Sequence, residues 1–296
     1  MTEIAVLTPD PSDPTFAGQW PGVLARLGEA LATAGLTAVP APWTDHVADA
    51  SGLTRFPLVL PLIAWGYHRD HGRWLQACET WAAAGVRMQN PPSVLGWNSD
   101  KSYLGRLAEK GVAIPPTLWV DSPTQTDVDA AFERFGTGTV IVKPRVSGGA
   151  YRTLRLSRGE AMAGAPEGPA MIQPYLPSIE SEGETSLLFF GGRLSHVVGK
   201  RPVAGEFRIQ VQFGGQYAAV PEPPAGALAL AEQTLAAIDE DLLYARIDMA
   251  RGADGGWLLM EAELIEPDFY LGSAPAGGRN FAAAVRLRLA NARLTR

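Results

Sequence analysis

The chain is 296 residues long, 46% hydrophobic and 19% charged, so it has room for two domains and is neither disordered nor a coiled coil. Acidic residues outnumber basic ones 31 to 25, a net charge of −6 that argues against a nucleic-acid partner while leaving room for a local phosphate pocket. One cysteine, Cys78, excludes an internal disulfide and a cysteine-based metal cage.

No basic run followed by an apolar one opens the chain. The longest apolar stretch, 56–67, is interrupted by Pro57 and Pro61 and is too short to span a bilayer. A soluble, cytoplasmic protein with no membrane partner is expected. Residues 3–8 read as an opening strand. Val23, Leu24, Leu27, Ala30, Leu31 and Ala34 mark one face of a helix that Gly35 can stop. Residues 58–63 read as a buried strand. Trp74, Leu75, Cys78, Trp81 and Ala82 mark a second helix, ended by Gly85. This alternation predicts a small parallel sheet covered by helices, an α/β domain over residues 1–95. Asn90, Pro91 and Pro92 then break the chain, and a second domain is expected over 96–296. It opens with a helix over 99–110, capped by Asn98 or Ser99 and closed by Gly111. Short strands then dominate, at 139–143, 151–156, 170–173, 185–190, 194–199, 207–213, 243–249 and 257–264, with glycine pairs between several of them. Helices are expected at 127–135, 225–238 and 279–290. This half is α+β, built on antiparallel hairpins.

The strongest chemical signal is the run 257–264. Strict alternation puts Trp257, Leu259, Glu261 and Glu263 on one face, and Leu258, Met260, Ala262 and Leu264 on the other. The partner strand is 243–249, reached through the turn 251–256. One register pairs Asp248 with Glu261 and Arg246 with Glu263, which crowds three carboxylates on one face. Like charges across a sheet repel, so a cation is expected, and hard oxygen donors suit Mg²⁺ that shares phosphate oxygens. The competing reading is that Arg246 neutralises one acid on a solvated face, which leaves two uncompensated.

Lys143 ends a strand of β-branched residues, where an unpaired lysine is costly to bury, and Ser147, Gly148 and Gly149 follow. Two readings are open: a phosphate cradle of lysine and loop amides, or an edge lysine before an ordinary hairpin turn. No P-loop motif is present. Lys101, expected in the first turn of its helix, opposes the macrodipole unless a phosphate binds there or Asp100 balances it. Lys200, Arg201 and Arg208 read either as a clamp on phosphoryl oxygens or as a solvated loop. His68 and His71 have the spacing of a weak metal pair, but no third ligand is near and they read as a surface turn. Cys78 reads as core, and the eight tryptophans as packing residues.

In chain order, NSDK at 98–101, GVAIPP at 111–116, VIVKP at 140–144, MIQPYL at 171–176, GE at 183–184, GKRP at 199–202, GEFR at 205–208, ID at 247–248 and EAE at 261–263 resemble the ATP-grasp ligases, in their glutathione-synthetase-like branch. WNSDK at 97–101 with EAELIEP at 261–267 is similar to the O-ureido-serine cyclo-ligases of cycloserine biosynthesis. The resemblance implies an ATP-grasp fold: two α+β subdomains, 96–175 and 176–296, gripping ATP between antiparallel sheets. It implies ATP phosphate contacts for Lys101 and Lys143, and a closing loop at Ser147, Gly148 and Gly149. Gln173, Pro174, Tyr175 and Leu176 would present backbone to adenine, and Glu184 would bind ribose. Arg208 would stabilise the transferred phosphoryl group, and Lys200 and Arg201 stand beside it as the other candidates of the clamp reading. Asp248, Glu261 and Glu263 would hold Mg²⁺, as two ions, with Mn²⁺ an acceptable substitute. Glutathione synthetases usually carry Asn where Glu263 stands; glutamate is an equally good ligand that adds charge. Trp65, Gly66, Tyr67 and His68 would face the substrate, with Arg246 and Glu266; relatives often carry Asp where Gly66 stands, so this loop departs from the pattern.

The implied reaction is an ADP-forming ligation. A carboxyl-type oxygen of a small amino-acid-like substrate takes the γ-phosphoryl group of ATP, and an amine or another nucleophile then displaces phosphate, in one variant closing a ring. A monomer or homodimer is expected. The alternative is an ATP-binding module without ligase chemistry that serves a partner protein. An oxidoreductase on the N-terminal βαβ unit is disfavoured, because no GxGxxG follows the first strand.

Overall fold

A computed structural model describes residues 1–294 and arranges them around three sheets. The first is parallel, in the order β2-β1-β3. It is built from β1 (Thr2–Thr8), α1 (Trp20–Ala32), β2 (Leu36–Pro42), α2 (Ser51–Thr54), β3 (Val59–Leu60) and α3 (His71–Ala83). β1 lies at its centre, with Ile4 to Leu7 fully buried. β2 was not expected, because Pro40 and Pro42 mask it; prolines are tolerated there because it is an edge strand. The strand expected at 58–63 is cut to Val59 and Leu60 by Pro57 and Pro61 on either side. Cys78, Trp74 and Trp81 are core, as expected.

The helix expected at 99–110 is shorter, and an unexpected helix precedes it: α4 (Pro92–Asn98) comes first and α5 (Tyr103–Glu109) follows. Pro92 starts α4 rather than breaking the chain, because proline fits the first helical position, where its missing N–H costs nothing. Lys101 therefore sits in the turn before α5, outside the helix.

The second sheet has four antiparallel strands in the order β4-β7-β5-β6. It comprises β4 (Leu118–Val120), α6 (Gln125–Phe135), β5 (Thr139–Pro144), β6 (Leu154–Ser157) and β7 (Ala170–Pro174). Thr124 and Asp127 form a capping box that starts α6, and Val128, Ala131 and Phe132 pack it on Val140, Val142 and Ile172.

The third sheet is antiparallel, in the order β10-β9-β8-β11-β12. Its elements are α7 (Ser178–Ser181), β8 (Glu184–Phe190), β9 (Arg193–Arg201), β10 (Gln216–Val220), α8 (Ala227–Ile238), β11 (Tyr244–Arg251), β12 (Trp257–Glu263) and α9 (Arg279–Leu294). One face packs on α5 and α8 through Leu187, Ile247, Leu259, Leu104 and Leu230. The strand expected at 207–213 is a loop. The Glu206 carboxylate captures the Phe207 and Arg208 N–H groups, which removes them from any ladder, and the strand forms at β10 instead. α9 returns to the first sheet, where Phe281, Val285 and Leu289 pack against Ile4, Val6 and Leu31. The last two residues of the expected second domain lie outside the described residues. No helix among the described residues is long and apolar enough to cross a membrane.

Candidate active site

The β11–β12 hairpin sets the centre. Asp248 faces Glu261 and Arg246 faces Glu263, the register expected from the sequence. A bulge then intervenes, and Met249 faces Leu259. The extra residue corrects the expected alternation. Leu259 and Ala262 enter the core shared with α5 and α8, while Leu258 and Met260 join a small apolar cluster with Leu176, Ile179, Ile209 and Ala250. Ala250 shares its face with Arg246 and Asp248, so this cluster adjoins the acids.

β12 is an edge strand, and its free backbone groups are met by side chains. The Tyr103 hydroxyl accepts from Ala262 N–H at 2.8 Å. Asn98 donates to the Ala262 carbonyl at 2.9 Å and accepts from Leu264 N–H at 3.0 Å. Asn90 donates to the Leu264 carbonyl at 2.7 Å, and the Tyr244 hydroxyl donates to that of Ile265 at 2.7 Å. These residues hold Glu261, Glu263 and Glu266 in place, and the sequence reading missed that role. Asn98 was expected to cap a helix; asparagine's paired donor and acceptor is the signal that suits it to a strand edge.

Each acid is gripped by a base. Lys101 Nζ lies 3.1 Å from Glu261 and donates to the Ser147 carbonyl at 3.0 Å. Arg246 binds Asp248 through Nη2 at 2.9 Å and also pairs with Glu263. Lys200 pairs with Glu184 and lies 3.2 Å from Asp248, which also accepts from the Ser186 hydroxyl. Burial alone would raise the Asp248 pKa, but Arg246 and Lys200 override it and hold the carboxyl at about 2. Burial pushes Glu263 up to about 8, against Arg246 and with help from the charges of Glu261 and Asp248. Lys143 makes no hydrogen bond or ion pair among the described residues. Burial pushes it down to about 8; Glu261 and Glu184 oppose this and Lys101 adds to it.

Among the described residues, no group of three acids, histidines or cysteines converges as a metal cage. The donor set nevertheless suits a triphosphate carrying a hard cation. An unpaired lysine meets anionic oxygens, and crowded carboxylates meet the cation, which needs few protein ligands when phosphate and water supply the rest.

The expected phosphate loop lies across this cluster. Ser147 is buried and bound by Lys101. A side chain at Gly148 would begin 3.4 Å from His68 Nδ1, so the loop backbone rests on that imidazole. The Gly149 carbonyl accepts from Gln212 at 3.5 Å. His68 is pushed down to about 4 by burial, with Arg69 and Lys101 adding to the shift. Glu266 rises to about 8 through burial and the charge of Glu263, while a hydrogen bond from Trp65 opposes the rise. Tyr67 is buried, and its phenol is raised by burial and then by the charge of Glu266.

Other expected residues are not brought into the network. Arg201 follows Lys200 on β9, so it points to the opposite face and is exposed, which removes it from the clamp. Arg208 is held by Glu206 at 2.7 Å and stacks 3.6 Å over Phe213, inside its own loop. Lys200, by contrast, is buried in the sheet rather than solvated. His71 bonds Ser99 at 2.8 Å, so it forms no pair with His68. In the expected adenine linker, Gln173 bonds Thr117 at 2.9 Å and Tyr175 N–H is taken by the Thr139 carbonyl at 3.0 Å. Pro174 ends β7, and Leu176 reaches the apolar cluster beside the acids. A separate hollow of about 620 Å³, lined by Thr44, Asp49, Arg73 and Gln76, shares none of these residues.

Comparison with known proteins agrees with this chemistry. Residues 4–90 match the family model of the D-cycloserine synthetase DcsG N-terminal domain. The cycloserine biosynthesis protein DcsG of Streptomyces lavendulae is 31% identical over 282 residues, covering 88% of this chain and 92% of that protein. The crystal structure of D-cycloserine synthetase DcsG matches with a TM-score of 0.78 at 28% identity, over 97% of this chain and 99% of that one. A D-alanine–D-alanine ligase from Bacillus anthracis, complexed with ATP, matches the fold with a TM-score of 0.68 at 15% identity, over 100% and 98% of the two chains. With a relative 31% identical across nearly the whole of both sequences, the chain is an ATP-dependent ligase and belongs to the DcsG family of ATP-grasp enzymes.

Proposed function

We propose that this ligase activates the carboxyl group of a small amino-acid-like substrate as an acylphosphate and closes a ring on it, with O-ureido-serine as the substrate type. The observation that carries the site is the shared face of Arg246, Asp248, Glu261 and Glu263, flanked by Lys101 and Lys200. The likeness to a D-cycloserine synthetase supports the cyclising variant.

Lys101 and Lys143 bind phosphate oxygens, and the backbone of Ser147, Gly148 and Gly149 covers them. Leu176, Leu258 and Met260 offer an apolar surface for adenine, and Glu184, held by Lys200, accepts from the ribose hydroxyls. Asp248, Glu261 and Glu263 hold Mg²⁺, as two ions and with Mn²⁺ as a substitute, and the metal cancels charge on the phosphates when bound. An oxygen of the substrate carboxylate bonds to the γ-phosphorus as the bond to the β-bridging oxygen breaks, releasing ADP. The nucleophile then bonds to the acyl carbon, phosphate departs with the bonding pair, and the nucleophile's proton passes to solvent. Arg246 and Lys200 stabilise the negative oxygens of both steps. Tyr67, His68 and Glu266 border the substrate; a half-buried carboxylate at Glu266 suits an ammonium group.

The three sheets support a division into 1–95, 96–175 and 176–296. The test is ADP and phosphate release with ATP, Mg²⁺ and O-ureido-D-serine. Glu261→Ala is expected to lose about 100-fold or more in turnover, with circular dichroism unchanged. Unchanged turnover in that variant refutes the metal assignment; wild-type ADP formation only with other carboxylates refutes the substrate.

A further inference from the structure

Tyr270 follows β12 by a short loop and has φ of +48°, a left-handed conformation unfavourable for an aromatic residue. The surrounding bonds over-determine it. Its N–H donates to the Asp268 carboxylate at 2.8 Å, and its carbonyl accepts from Ser273 N–H at 2.8 Å. The Asp268 carbonyl accepts from Arg246 Nη1 at 3.3 Å. The backbone is thus tied to the guanidinium that grips Asp248 and Glu263.

The ring lies 5.3 Å from Arg246 Cζ and meets Tyr217 edge-on at 5.1 Å. Tyr217 stands beside Lys200 in the β10–β9 register. Two tyrosines therefore wall the cluster on the side of Arg246 and Lys200. The Tyr270 hydroxyl lies within electrostatic reach of Arg246, Lys200, Asp248 and Glu263, yet has no hydrogen-bond partner among the described residues. Phenylalanine would supply the same ring contacts, so packing does not explain the hydroxyl.

We propose that Tyr270 is a further catalytic residue, whose Oη–H donates a hydrogen bond to the phosphoryl group on its acceptor side. The proposal rests on the ligase reading above. Negative charge gathers on those oxygens as the substrate–phosphorus bond forms and the bond to ADP breaks. Arg246 and Lys200 already share their donors with Asp248, Glu263 and Glu184, whereas Tyr270 has its donor free. The phenol keeps its proton throughout, so the proton balance of the reaction is unchanged.

Tyr270→Phe keeps the ring and removes the donor. With ATP, Mg²⁺ and O-ureido-D-serine, its kcat is expected to fall about 10- to 100-fold, with KM for ATP within about twofold and the melting curve unchanged. A second arm needs no organic substrate: calorimetry with ADP, Mg²⁺ and aluminium fluoride as a phosphoryl mimic. Tyr270→Phe is expected to bind the mimic about tenfold more weakly while binding ADP and Mg²⁺ alone as the wild type does. Wild-type kcat in Tyr270→Phe overturns the proposal. Where the wild type makes no ADP from O-ureido-D-serine, the substrate reading has failed, and equal affinity of both proteins for the mimic overturns the role of Tyr270.

Discussion

Lys143 stands near Glu261 and Glu184 with no ion pair among the described residues, which makes it a stability liability kept for binding. Its pKa falls from an ordinary 10.5 to about 8 on folding. The folded state therefore disfavours the charged form. Above the unfolded pKa both states are neutral and nothing is lost; as pH falls from 10.5 towards 8 the penalty grows, and below 8 it is complete. Lys143→Met is expected to melt at an equal or higher temperature than the wild type at pH 7, an advantage that shrinks towards pH 10. The same variant is expected to bind ATP at least about tenfold more weakly by calorimetry. A lower melting temperature at pH 7 contradicts this account. The sequence shows that Lys143 follows β-branched residues; it does not show that no acid reaches it, since that depends on where Glu261 and Glu184 lie.

At the scale of elements, the outer edge of β12 is stitched largely by side chains, since β11 is its neighbour on the inner side alone. Tyr103→Phe removes the hydroxyl that serves both the Ala262 N–H and carbonyl; the carbonyl keeps Asn98, and the buried N–H loses its side-chain partner. The expected loss is about 1–3 kcal/mol in urea unfolding. A change below about 0.5 kcal/mol means that water replaces the hydroxyl. The hairpin itself was legible, because two strand-like runs flank a glycine-containing turn, and the register set out for them is the one observed from Arg246 to Asp248. The bulge at Met260 was not, since alternation carries no mark of an inserted residue. Arg201 was misplaced for a related reason: a cluster of basic letters ignores that neighbours on a strand face opposite ways. The loop at 207–213 has a strand-like composition, and the grip of Glu206 on the following N–H groups outweighs it. Tyr270 left no trace in the sequence, because its position depends on a turn fixed by Asp268 and Arg246.

For the molecule as a whole, α9 ties the end of the chain to its beginning. Phe281 is fully buried among Leu31, Phe190 and Phe269, so it joins the first sheet to the third. Phe281→Ala is expected to cost about 3–5 kcal/mol, shifting one cooperative urea transition to lower concentration. Two separate transitions, with only the earlier one moved, contradict the idea that these parts unfold together.

That tie decides which part of the molecule is free to move. The first and third sheets are welded by α9 and by Asn90, whose side chain reaches Leu243, Tyr244 and Leu264. The four-stranded sheet between them has its own core, sends Met171 and Trp119 into the core of the third sheet, and is also joined through polar links such as Arg145–Asp100 at 2.7 Å and Lys101 on Ser147. If these polar links open when nucleotide enters, hydrogen exchange along β5 and β7 is expected to slow on adding ATP and Mg²⁺, while that of β1 and β11 stays as it was.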